Sequence, residues 1–238
     1  MNITPETCRL AATGACLAAD LCRARSGASH APFPPCAIPR RTLRRGNSLY
    51  RTGDTLVNLY QLYAGSVKLR ISNPSGAEQI VSFPMAGALL GLDGIETGTY
   101  TCDAIALEDS VMCVIPFSEL TARSCNDAKM ARRLNRAIAQ ETNYYMRLLM
   151  VLSCMNSEER LASFLMEISE KMAASGYSPR QFILKMTRED IAHHLGMKIE
   201  TVSRIFTRLQ IAHVLDVRRR HLSIRDPDAL RRIGTCQA

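Results

Sequence analysis

Residues 187–209, TREDIAHHLGMKIETVSRIFTRL, constrain this chain more than any other stretch. Thr187 is a good helix N-cap, and Asp190 three residues on completes a capping-box-like start. Ile191 and Leu195 face inward, and Ala192 is small where a second helix must approach. Gly196 falls where the first helix needs a left-handed C-cap. Ile199, Val202, Ile205 and Phe206 are expected to form the buried face of the second helix. A small residue, then a glycine, then a β-branched residue at these spacings fixes the crossing of two helices so that the second projects.

The outward face of that second helix carries Glu200, Thr201, Ser203, Arg204 and Arg208. These suit a DNA major groove: Glu accepts from a cytosine amino group, Arg binds guanine in bidentate fashion, and Ser reaches a base or a phosphate. Lys198 stands where a Ser or Thr cap is expected and can contact phosphate instead. Thr187 and Arg188, at the start of the first helix, complete the expected DNA-binding set. His193 and His194 on that helix read as surface or phosphate-facing residues rather than metal ligands. The competing reading is a plain helical hairpin with a solvated polar face. Charge weighs against it: residues 180–238 hold twelve Arg and Lys against six Asp and Glu, whereas residues 52–179 are net acidic. A basic C-terminal module on an acidic body points to a polyanionic partner.

Upstream, from about residue 40 to 117, short apolar segments alternate with turn signals. The segments are Thr55–Tyr63, Ser66–Ile71, Glu78–Phe83, Thr101–Leu107 and Ser110–Ile115, punctuated by Gly46, Gly53, Gly65, Gly76 and Gly87. That texture predicts a β-sandwich or barrel. Residues 128–155 contain neither Gly nor Pro. Met130, Leu134, Ala137, Glu141, Tyr144, Leu148, Val151 and Met155 recur at alternating four- and three-residue steps, the seam of a two-stranded coiled coil. The expected dimer interface is therefore Leu134, Glu141, Tyr144, Leu148 and Val151, with Arg147 flanking; the alternative is a helix packed on its own domain. A helix is also expected over Ser157–Ala174, and short strands around Val214–Val217 and His221–Ile224, joined by Arg218–Arg219–Arg220. The expected divisions are a Cys-containing segment (1–39), a sensor domain (40–125), a dimerisation helix (126–156) and a DNA-binding domain (157–238).

Several classes are excluded. No window of about 18 apolar residues exists, which rules out a transmembrane helix. Residues 1–20 lack a basic run followed by an apolar core, so the expected location is cytoplasmic. There is no Ser-His-Asp order, phosphate-cradling glycine loop or paired-carboxylate signature, so an enzyme is not expected. Nine cysteines without a secretory signal argue for metal or cluster ligation, or for inert thiols, rather than a disulfide framework.

An ordered set of pieces then becomes recognisable: YRTGD (50–54), LYAGSVKLR (62–70), GLDGI (91–95), ALEDSVMCVIPF (106–117), EERLASFL (158–165), YSPRQFILKMTREDI (177–191) and ETVSR (200–204). Across residues 41–233 the chain resembles the cyclic-AMP receptor protein family, and most of all its fumarate and nitrate reduction regulator (FNR) branch. The resemblance implies an α+β fold: an N-terminal β jelly roll of the cyclic-nucleotide-binding type, a long dimerisation helix and a C-terminal winged helix-turn-helix. It implies a homodimeric transcription regulator, of a sign (activator or repressor) the sequence leaves open, that works with RNA polymerase. Glu200, Ser203 and Arg204 would read each TTGAT-like half-site of a palindrome.

Cyclic-nucleotide receptors of the family hold the phosphate with an Arg-Ser pair, but no Arg lies between Arg70 and Arg123 here. No cyclic nucleotide is expected. FNR-like sensors carry an oxygen-labile 4Fe-4S cluster on four thiolates. By that resemblance Cys113, before Ile115-Pro116-Phe117, matches the ligand in the roll, and Cys16 and Cys22 match a C-x5-C half of the N-terminal run. The remaining N-terminal position is Thr13, so the fourth thiolate falls to Cys8, with Cys36 as the alternative. Cys102 and Cys154 read as packing residues, and Cys125 and Cys236 as loop or tail residues. A family regulator without a cluster, acting by thiol switch, by haem or constitutively, is the other reading.

Overall fold

The computed structural model describes residues 38–235. Cys8, Cys16, Cys22, Cys36 and Cys236 lie outside the described residues.

The chain divides into two compact units, and the boundary falls inside one long helix, between Thr142 and Asn143. The N-terminal half is built on short strands: β1 (Arg40–Leu43), β2 (Ser48–Tyr50), β3 (Asn58–Ala64), β4 (Val67–Ser72), β5 (Glu78–Ser82), β6 (Leu89–Leu90), β7 (Asp103–Ala106) and β8 (Ser110–Pro116). They form two four-stranded sheets, ordered β1-β8-β3-β6 and β2-β7-β4-β5. Neighbours distant in sequence pair within them, as a roll requires: Arg40 faces Cys113 across β1–β8, and Gln61 faces it across β3–β8. The strands place Leu59, Leu62, Val67, Leu69, Ala104, Met112 and Ile115 in the core, each nearly or wholly solvent-free. Burial at roughly 25 cal/mol per Å² makes this set the main stabilising term of the unit. A ten-residue helix, α1 (Phe117–Asn126), follows β8 directly and carries Cys125, exposed, on a helix rather than in a loop.

Helix α2 (Ala128–Cys154) covers the stretch without Gly or Pro. The second unit continues with α3 (Ser157–Ala174), β9 (Gln181–Ile183), α4 (Arg188–Leu195), α5 (Ile199–Ile211), β10 (Leu215–Arg218), β11 (His221–Ile224) and α6 (Pro227–Gly234). The segment Ser72–Ser82 groups with this unit. Asn156 caps α3: its side chain accepts the N–H groups of Glu158 and Glu159, and the Glu159 carboxylate accepts the Asn156 N–H. Strands β10, β11 and β9 form a three-stranded sheet in that order. Helix α6 packs against α3 so closely that a Cβ on Gly234 would lie 2.8 Å from the Ser163 nitrogen.

The expected heptad seam is the inward face of α2. Met130 is buried, while Leu134, Ala137, Glu141, Tyr144, Leu148, Val151 and Met155 are each half-buried within the single chain. The Lys171 ammonium lies 5.0 Å from the Tyr144 ring, and the Glu141 charge is felt at Tyr50 and Cys102. The apolar residues left in solvent stand one position round the helix. Ile138 is 38% exposed and Leu149 63%, with exposed Thr142 and half-buried Tyr145 between them; Met146 and Met150 flank Leu149. Ile138, Thr142, Tyr145 and Leu149 repeat the same four-three-four spacing. Among the described residues, no helix is long and apolar enough to cross a membrane.

Candidate functional site

The helix-turn-helix assembles as its local chemistry dictates. The Thr187 hydroxyl accepts the Asp190 N–H at 3.0 Å, and the Asp190 carboxylate accepts the Thr187 N–H at 2.8 Å. That capping box opens α4, and its carboxylate favours the positive helix end. Gly196 closes α4 at φ 61°, ψ 44°, with its N–H on the Ala192 carbonyl. Ile191, Ala192, Leu195, Val202, Ile205, Phe206 and Leu209 are buried between the helices. Ile199 departs from expectation: as the first residue of α5 it is 42% exposed, because the turn before it leaves nothing to cover it.

The projecting face of α5 presents Glu200, Ser203, Arg204, Thr207 and Arg208 to solvent, with Thr201 half-buried. Arg204 reaches only the Thr201 hydroxyl, at 3.4 Å. Arg208 is held by Glu158 at 2.6 Å, yet its side chain is 67% exposed. Such an exposed pair contributes at most about 1 kcal/mol, so Arg208 can be recruited by a phosphate. Lys198 precedes α5 without a side-chain cap, and its carbonyl accepts the Thr201 N–H at 3.0 Å. Arg188 has a structural task instead: its guanidinium carbon sits 3.2 Å from the centre of the Phe206 ring, and burial pushes its pKa down to about 10.

Two further residues position this module: one that the pattern passed over and one that it read as a surface residue. Arg160 donates to three backbone carbonyls: Nε to Met155 at 2.9 Å, Nη2 to Leu152 at 2.9 Å and Nη1 to Leu195 at 3.1 Å. One guanidinium thus satisfies orphan carbonyls at the ends of both α2 and α4. A cation in the first turn of α3 opposes the helix dipole, and that misplacement was the available signal.

His194 is the second. It is 2% exposed, not a surface residue, and its Nδ1–H donates to the Ile80 carbonyl at 2.9 Å. Gln79 donates back to the His194 carbonyl at 3.0 Å, and the ring packs 5.5 Å from Phe164. Burial lowers its pKa, with Lys171 acting in the same direction and Glu167 and the Ile80 carbonyl opposing. The folded state therefore holds it neutral while the unfolded chain protonates below about 6.5. Below that pH the unfolded state binds more protons, so stability falls with pH, by up to about 1.4 kcal/mol per unit. Urea unfolding between pH 5 and 8 should show this slope, and His194→Gln should flatten it. An unchanged slope in the variant would place the titration elsewhere.

In the roll, Cys113 is 3% exposed on β8. The strand after the cysteine-bearing segment enters the sheet beside it: Arg40 is its cross-strand partner, and the Val114 N–H bonds the Pro39 carbonyl at 2.8 Å. A buried thiol next to the point where residues 1–37 join the sheet fits one ligand of a thiolate-held cluster. Among the described residues there is no group of three or more His, Cys, Asp or Glu able to hold a metal. Cys102 is buried as expected, and burial, then the Asp93 carboxylate, push its thiol pKa far up. Cys154, expected to pack, is exposed at the end of α2.

Inside the roll, a carboxylate is enclosed by donors of the chain itself. Asp93 accepts the Thr101 N–H at 2.8 Å and the Cys102 N–H at 3.2 Å, and the Tyr50 hydroxyl lies 3.5 Å away. Tyr50 and Tyr100 stack with ring centres 3.8 Å apart, and both are buried. Donors suited to a phosphate are thus turned onto an internal carboxylate. No Lys or Arg occurs from residue 71 to 122 to offset added negative charge.

A roll followed by a long helix and a winged helix-turn-helix defines a DNA-binding transcription regulator. The family model for a cyclic nucleotide-binding domain matches residues 40–123, and that for a Crp-like helix-turn-helix domain matches residues 159–233. The fumarate and nitrate reduction regulatory protein of Salmonella typhimurium is 37% identical over 191 residues, 80% of this chain and 76% of that one. Its counterpart in Escherichia coli K12 is 36% identical over 195 residues, 82% and 78% of the two chains. The structure of FixK2 from Bradyrhizobium japonicum matches with a TM-score of 0.77 at 25% identity, covering 85% of this chain and all of that one. A CRP-family regulator from Thermus thermophilus shares the fold with a TM-score of 0.68 at 19% identity, over 82% of this chain and 96% of that one. The chain belongs to the CRP/FNR family of transcription regulators, within which its curated relatives are fumarate and nitrate reduction regulators; it is not an enzyme.

Proposed function

We propose that the protein acts as a homodimer on a TTGAT-type palindrome and couples oxygen or redox state to transcription through a 4Fe-4S cluster. The observation that carries the DNA half is the exposed face of α5, where Glu200, Ser203 and Arg204 stand clear of the core on a capped, rigid hairpin. Lys198, Thr201 and Arg208 add phosphate and groove contacts. Dimer contact falls on the exposed stripe Ile138, Thr142, Tyr145 and Leu149 rather than on the half-buried seam. Two parallel copies would set their recognition helices about one DNA turn apart. RNA polymerase is the remaining macromolecular partner.

The sensor half rests on buried Cys113 beside the entry of the N-terminal segment. Cys113, Cys16 and Cys22 would hold the cluster, with Cys8 as fourth ligand and Cys36 in its place if spacing demands. Bound, such a cluster supplies an oxygen-labile iron–sulfide core. The chain's part is to supply the thiolates, with Cys113 on β8 as one of them. The stack of Tyr50 and Tyr100 over an internal carboxylate argues against a cyclic nucleotide as the signal.

Protein purified without oxygen should show a broad absorption shoulder near about 400 nm, with iron and sulfide in equal amounts, bleached in air. Cys113→Ser should abolish the shoulder, and serine at Cys8 or Cys36 identifies the fourth ligand. A colourless anaerobic protein that still binds the palindrome would remove the cluster and leave the thiol-switch or constitutive regulator.

A further inference from the structure

The hairpin that follows the recognition helix carries chemistry the half-site reading does not use. Strands β10 and β11 pair with Arg218 opposite His221, so their turn is just Arg219 and Arg220. The turn is held firmly. The Leu184 N–H bonds the Arg220 carbonyl at 2.9 Å, and Arg220 Nη1 lies 3.5 Å from the Lys185 carbonyl. β11 is paired on its other side to β9.

Arg219 adopts φ 59°. A left-handed backbone costs an L side chain free energy that glycine would not incur. The outermost position of the hairpin therefore keeps an arginine against its backbone preference, and such outliers point to use rather than to folding. Arg218 and Arg219 are both exposed, the Arg218 side chain at 86%. The nearest carboxylate, Asp216, is engaged by Arg225 at 3.0 Å and lies 3.9 Å from Arg218. The tip thus presents guanidinium groups on a rigid two-residue turn.

We propose that Arg218 and Arg219 form a second DNA-reading site, entering the minor groove beside each half-site and selecting A·T-rich flanks. The inference rests on the palindrome-binding reading above. A guanidinium sheds water more readily than an ammonium, and narrow A-tract minor grooves concentrate the negative potential that draws it in. A contact to phosphate alone would be indifferent to flanking sequence.

The test is fluorescence anisotropy of the anaerobically purified full chain on two duplexes that share one TTGAT palindrome. One is flanked by A-tracts and the other by mixed G·C sequence. The wild type should prefer A-tract flanks by about tenfold. Arg219→Gly removes the side chain and suits the backbone, so folding is preserved; it should bring the preference close to parity while binding to the G·C-flanked site changes less than about threefold. Arg219→Lys keeps the charge and should also lose most of the preference. Equal wild-type affinity for both duplexes, or a preference that survives Arg219→Gly, would overturn the site. So would an equal weakening on both duplexes with a shallower salt dependence, the mark of a phosphate contact. In each of those results the palindrome reading stands. A wild type that binds neither duplex overturns that reading and this site with it.

Discussion

Arg204→Ala is expected to lower affinity for the TTGAT-type palindrome by about thirtyfold or more, with no loss of folding stability. Arg204 stands exposed on α5, and its hydrogen bond to the Thr201 hydroxyl is a long one, so its removal leaves no buried group unpaired. A bidentate contact to a base discriminates by about 1–3 kcal/mol, and a two-fold dimer makes it twice, giving about 2–6 kcal/mol. Glu200→Ala should cost less affinity but relax base preference at one position of each half-site. Arg208→Ala should weaken all sequences alike and make the salt dependence shallower, because it removes only a phosphate contact and the Glu158 pair. Anisotropy titrations on the palindrome and on singly substituted sites separate these outcomes. An Arg204→Ala protein that binds within about threefold of wild type would mark the helix-turn-helix as degenerate and the chain as an interaction module.

What was legible in the sequence follows the range of the interactions. The helix-turn-helix could be read almost residue by residue, because its determinants are local. Thr187 and Asp190 cap within one turn, Gly196 supplies a backbone angle, and Ala192 and Val202 sit where two adjacent helices touch. The roll was legible as a class, since strands β3, β4, β5, β7 and β8 fall within the apolar segments or one residue beyond them. Strands β2, β6 and β9 are two or three residues long and β1 is the mostly polar run Arg-Arg-Thr-Leu, too little for a period of two to register. They form because distant partners complete them, as Cys113 does for Arg40. His193 and His194 are adjacent on α4, yet one is half-buried and the other enclosed by Ile80 and Phe164. No local pattern distinguishes them. The cysteine ligand set shows the same limit: Cys113 is placed by the sheet, whereas spacing alone leaves Cys8 and Cys36 in competition.

The long helix presents the same problem in a form that an experiment resolves. A four-three repeat runs through α2 twice, in registers one residue apart: Leu134, Ala137, Glu141, Tyr144, Leu148 and, beside it, Ile138, Thr142, Tyr145, Leu149. Periodicity scores both. Burial separates them, because the first is covered by the chain itself and the second ends in the 63% exposed Leu149. Adjacent leucines therefore have opposite expected phenotypes. Leu149→Glu places a carboxylate on each side of the two-fold contact. It should give a monomer by sedimentation even in the cluster-loaded protein, with the unfolding transition little changed. Palindrome affinity should then fall by about a hundredfold or more, because the second half-site is no longer bound at the high effective concentration the dimer provides. Leu148→Ala removes a half-buried side chain from the inward face. It should lower stability by about 1–2 kcal/mol through lost packing while leaving the dimer intact. If Leu149→Glu remains dimeric and Leu148→Ala dissociates, the pairing register is the inward one. The side chains that cover that face, Lys171 over Tyr144 among them, would then have to move off it before two copies could meet. Dimerisation would itself be the conformational step that the sensor controls.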